Sequence, residues 1–98
     1  MKFFLPISIS DAIDFFEKEA KKQGFAKDIS LKSEGCTLTM IIHGFVNSEI
    51  IIVYHGDATG TEFEVVKERL SLLHRPFRGH IISYLKSAIS SMKGTIIR

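Results

Sequence analysis

Ninety-eight residues, 45% hydrophobic and 24% charged, have the balance of a globular chain with one core and argue against disorder. The single cysteine, Cys36, rules out an intrachain disulfide, and no Cys/His cluster has zinc-ligand spacing, so a reducing, cytoplasmic setting without metal or cofactor is expected. The net charge of +2 hides an asymmetry: residues 1–66 carry six lysines and ten acids, a net −4, whereas residues 67–98 carry seven basic residues against Glu68 alone, a net +6.

Such an imbalance points to a polyanionic or acidic partner. The apolar run Ile50 to Tyr54 is far short of the ~20 residues of a membrane span, so no membrane partner is expected. Met1 to Leu5 imitates the start of a signal peptide, but Pro6 interrupts it and Asp11 precedes any small-residue cleavage site. The chain is expected to form one domain over residues 1–98.

In chain order, Phe3, Leu5, Ile7 and Ile9 alternate with Lys2, Phe4, Pro6 and Ser8, the period of a strand. Pro6 places it at a sheet edge or starts it late. Ser10 offers an N-cap, with Asp11 and Asp14 in the first turn. Ile13, Phe16 and Ala20 then make a helical stripe, and Glu17 and Lys21 an i, i+4 pair. Gly24 suits the left-handed position after this helix, with Phe25 beyond it placed to touch Ala20. Phe25 to Lys32 alternates again, and Ser33-Glu34-Gly35 reads as a turn. Strands are expected over Cys36–His43 and Glu49–His55, joined by a loop with Gly44, Asn47 and Ser48. Ile50 to Tyr54 is apolar on both faces, as in a strand covered on both sides.

Thr61 with Glu64 three positions later has the form of a capping box and predicts a second helix, its stripe being Phe63, Val66, Leu70 and Leu73. It should stop near His74, because Pro76 disfavours helical geometry at Arg75. A third helix buries Ile81, Leu85, Ala88 and Met92, with Ile82 and Ile89 beside them, and ends at Gly94. The expected order is β-α-β-β-β-α-α, an α+β fold with a four-stranded, mainly antiparallel sheet and helices packed on it. The uncovered face at Ile50–Tyr54 would be hidden in a symmetric homodimer.

Cys36 and His43 lie seven positions apart on one strand, ~23 Å at ~3.3 Å per residue; a packing role for Cys36 is expected, and no catalytic residue is assigned. No histidine pair has the i, i+4 spacing of a zinc motif. A two-residue loop at Asn47-Ser48 would put His43 and His55 on opposite faces, and a three-residue loop Asn47–Glu49 would put them on one face. The loop Gly56 to Thr61 enters a helix start, where phosphates bind, but Asp57, Glu62 and Glu64 would repel them.

His74-Arg75-Pro76-Phe77-Arg78-Gly79-His80 stands out. Arg78 and His80 begin a helix, where acids are normally preferred. Arg75, Arg78, His74 and His80, extended by Lys86 and Lys93, form the expected anion or partner site, unless the arginines pair with Asp57, Glu62, Glu34 or Glu49 within the fold. The preferred function is a non-catalytic binding or regulatory module, homodimeric, whose basic corner receives an acidic protein partner or a small anion. The alternatives are a nucleic-acid-binding protein using the third helix and a small acid–base enzyme using His55, His74 or His80 near Asp57.

Overall fold

The computed structural model describes residues 1–24, 28–56 and 59–97. The expectations placed on Phe25 and Asp57 lie outside them. Among the described residues the elements are β1 (Lys2–Leu5), α1 (Ile9–Lys22), β2 (Ile29–Glu34), β3 (Thr37–Ile42), β4 (Ser48–Gly56), β5 (Thr61–Arg69), a 3-10 turn (Arg75–Phe77), α2 (Arg78–Ser91) and β6 (Thr95–Ile96). The α+β class and the antiparallel meander β2-β3-β4 are as expected from the sequence. The sheet is not: it has six strands, in the order β2-β3-β4-β5-β1-β6, with every pair antiparallel.

The largest correction concerns Thr61–Arg69, which is a strand and not a capped helix. Thr61, Phe63 and Val65 point to one face while Glu62 and Glu64 point to the other, so the segment carries a two-residue period as well as the helical one. Pairing decides between them, because β5 bonds β4 along its length and β1 along its first half. Its inner residues complete the core. Phe63 stacks on Phe3 with ring centroids 4.9 Å apart and meets Phe16 of α1 edge-on at 6.2 Å. After Gly94, where no strand was expected, Thr95–Ile96 add β6 to β1.

The first helix begins earlier than the sequence suggests. Ser8, not Ser10, is its N-cap, its hydroxyl accepting the Asp11 N–H at 3.3 Å. Gly24 follows the helix with φ +82°, as its place in the sequence requires. At the end of α2 the left-handed position is taken by Lys93, φ 56°, while the Gly94 N–H reaches back to the Ile89 carbonyl at 2.8 Å. Gly94 has a different reason to be glycine: a Cβ there would lie 2.8 Å from the Phe4 carbonyl oxygen of β1.

Both helices pack on one face of the sheet, where Phe3, Leu5, Leu38, Met40, Ile50, Ile52 and Phe63 join Phe16 and Leu85 in one core. The other face is less apolar than Ile50–Tyr54 suggests, because Ile51 and Val53 sit among cross-strand charges. Glu49 is opposite Arg69, His55 opposite Glu62, and Lys2 binds Glu62 at 2.9 Å. An antiparallel sheet patterned in this way can face water.

Tyr84, absent from the expected α2 stripe, is fully buried and donates its hydroxyl to the Phe16 carbonyl at 2.6 Å, tying the two helices together. Burial, and secondarily the charges of Glu19 and Glu17, push its phenol well above its usual value. An acid whose folded pKa is raised stabilises the fold fully below its unfolded value, ~10. That stabilisation is lost as pH rises further, since the unfolded chain gives up the proton first. Urea titrations above pH ~10 should therefore show stability falling more steeply in the natural protein than in Tyr84→Phe; parallel pH profiles would disprove this.

Candidate functional site

A β-bulge answers the puzzle posed by Arg78. Ile51 pairs with Lys67 but Ile52 with Val65, so Val66 is the extra residue of β5. Beyond the bulge the side chains change faces. Glu68, opposite the buried Ile50, turns toward the helices, and Arg69 turns to the other face beside Glu49, at 3.8 Å. Glu68 there accepts two hydrogen bonds from Arg78, Nε to Oε1 at 2.9 Å and Nη2 to Oε2 at 3.0 Å. The acid missing from the first turn of α2 is thus delivered from β5. This bidentate pair raises the Arg78 pKa. None of the four carboxylates considered from sequence is the partner; it is the last acid in the chain.

The remaining site residues separate. Arg75 opens the 3-10 turn, and it, Lys86 and Lys93 make no ion pair among the described residues. Lys86 lies on the exposed side of α2, but Lys93 stands beyond Ser91, off the helix and out of register with it. The two do not form a basic helical stripe. His74 and His80, by contrast, are brought together in the wall of one cavity.

That cavity has a volume of about 480 Å³. Asp28, Ile29, Ile42 and His43 line it from the end of the β2–β3 pair, and His74, Phe77, His80, Ile81 and Tyr84 from the turn and α2. His43 is held at the rim twice: its N–H donates to the Asp28 carbonyl at 2.7 Å, and its ring Nε2 hydrogen-bonds the Ser30 hydroxyl. The His80 ring leans on Phe77, centroids 6.2 Å apart.

His74 is the most firmly placed of the three. Its Nδ1 is 2.6 Å from Ser48 Oγ and 3.2 Å from Ser71 Oγ. Ser48 is completely buried, and its oxygen also accepts the Ser71 N–H at 2.8 Å. The other edge of the ring lies against Gly44, where a Cβ would come within 2.7 Å of Nε2. Both earlier registers of the β3–β4 connection are overturned: Ile42 pairs with Ser48, so the loop is residues 43–47, closed by Asn47 Oδ1 accepting the Gly44 N–H at 3.2 Å. His55 lies at the far end of β4, 4.0 Å from Glu62.

No catalytic constellation accompanies the cavity among the described residues. Ser48 contacts His74 but is sealed from solvent and does not line the cavity. Cys36 is exposed in the Gly35-Cys36 hairpin turn, and among the described residues no three His, Cys, Asp or Glu side chains are grouped to hold a metal ion. Comparison with protein-family models, curated proteins and solved structures gives no match.

Proposed function

We propose that this chain is a non-catalytic binding module whose ligand site is the imidazole-lined cavity, and that its ligand is a small molecule with an apolar body and an anionic head. The observation that carries this reading is the cavity's composition: Ile29, Ile42, Ile81, Phe77 and Tyr84 line it together with His43, His74 and His80. An apolar concavity with a few fixed polar groups is the usual form of a small-ligand site. The head group would meet the imidazoles and Arg75, whose guanidinium is free of internal pairing among the described residues and stands on the turn that bears His74 and Phe77. Arg78 has no part in this reading, since Glu68 already occupies it. Asp28 in the opposite wall disfavours small, fully hydrated anions and favours ligands whose apolar body supplies most of the binding.

Phenyl phosphate and octanoate are suitable probes, with inorganic phosphate as the control that lacks a body. Either probe should raise the melting temperature by mass action and shift the amide resonances of His74, Phe77 and His80, while phosphate alone should do neither. His80→Ala and Arg75→Ala should weaken the effect without altering the fold. Equal responses to phosphate and to both probes, or none, would exclude the cavity as the binding site.

A further inference from the structure

The end of the molecule around the cavity carries more apolar surface than two solvated turns require. Phe45, in the β3–β4 loop, is 96% exposed and Leu72, after β5, is 77% exposed; Val46, Leu73 and Phe77 are each more than half exposed. The two turns are neighbours, because the His74 ring packs on Gly44 and the Ser71 N–H binds Ser48. Their apolar side chains thus project from adjoining turns and together expose on the order of 500 Å², at the upper end of what a monomer leaves open. Paired across a two-fold axis, this area reaches the roughly 1,000 Å² of a specific interface.

We infer that this end is where two copies of the chain meet, with Phe45 of each copy entering the cavity of the other. An interface about a two-fold axis must carry its knob and its hole on the same surface. Here His43 lines the hole and Phe45, two residues on, is the knob. The fit is generous: a cavity of ~150 Å³ holds benzene, and this one is about 480 Å³ with a largely apolar lining. A bilayer is the other occupant such tips could suit. It would be drawn by clustered cations, whereas Arg69 and Arg78 beside these turns are already paired to Glu49 and Glu68, which leaves Arg75 as the one unpaired arginine here among the described residues. A bilayer also has no use for a hole beside the knob.

The inference goes beyond the ligand reading and stands without it, although knob and ligand would share one cavity. Sedimentation velocity over a wide range of protein concentration should show a dimer. Phe45→Ser, at a side chain with almost no contact in its own copy, should weaken association by roughly 30-fold or more, the mark of a hot-spot residue. His80→Trp should do the same by filling the hole. Mixing the two variants should restore dimers, since one intact knob then meets one intact hole; this recovery excludes misfolding as the cause. A natural protein that stays monomeric, a Phe45→Ser protein that associates normally, variants that fail to complement, or binding to phosphatidylglycerol vesicles in place of self-association would each overturn the proposal. Phenyl phosphate should bind Phe45→Ser more tightly than the natural protein. Its failure to bind either would sink the ligand reading alone, since the association measurements decide the dimer separately.

Discussion

Phe63→Ala is expected to lower the unfolding free energy by about 3–5 kcal/mol, a large share of the ~5–15 kcal/mol that holds a domain together. Phe63 is the point where three elements meet: it stacks on Phe3 of β1, meets Phe16 of α1 edge-on, and lies 6.0 Å from the Tyr54 ring of β4. Removing the ring forfeits its burial and leaves a void between a helix and two strands that cannot close independently of one another. In a urea titration the midpoint should fall with little change in slope. Val66→Ala, at the neighbouring exposed bulge position, should change little. The comparison is decisive because a helix with the stripe Phe63, Val66, Leu70 and Leu73 would bury both residues, so similar losses at the two positions would refute the strand.

That pair also shows where the sequence stops being legible. Local signals were sufficient for α1, for the β2-β3-β4 meander and for most of α2, since in each the apolar period, a turn and a stop agree. Thr61–Arg69 satisfied two periods at once, and Thr61 and Glu64 imitate a capping box. What removes the ambiguity is non-local: β1 offers a bonding edge from far earlier in the chain, Lys2 pairing with Glu64 and Leu5 with Thr61. The same is true of the short β6, whose two residues have no periodic signature and pair only because Gly94 lets the chain pass close to Phe4.

The candidate site was half legible for a related reason. His74 and His80 drew notice as part of a basic segment, but their significance lies in Ile29, Ile42, Asp28 and Tyr84, which the fold brings to them from elsewhere. Reading residues 61–73 as a helix hid the bulge, and without the bulge Glu68 would share the face of Glu62 and Glu64 and could not meet Arg78. The charge asymmetry therefore overstates the free positive charge: Arg69 and Arg78 are both answered within the fold. Ser48 sits in a loop-like stretch of sequence and carries no signal of its own, although it is the buried post on which His74 stands.

Ser48→Ala should accordingly be the most disruptive small substitution outside the aromatic core, at about 1–3 kcal/mol, the penalty for stranding buried hydrogen-bonding groups. The hydroxyl serves two partners at once, the Ser71 N–H at 2.8 Å and His74 Nδ1 at 2.6 Å. Its loss frees the 71–74 turn from the start of β4 and leaves His74 only the longer contact to Ser71 Oγ at 3.2 Å. Stability and site geometry should thus fail together, with the His74 ring resonances broadening or moving in the folded protein. A double-mutant cycle isolates the link: Ser48→Ala and His74→Ala should be less damaging in combination than the sum of their separate effects, with a coupling of about 0.5–3 kcal/mol, as for residues sharing one network. Strict additivity would mean that the imidazole is positioned by packing on Gly44 and not by the buried hydroxyl. The cavity's preference for ligand would then survive in Ser48→Ala.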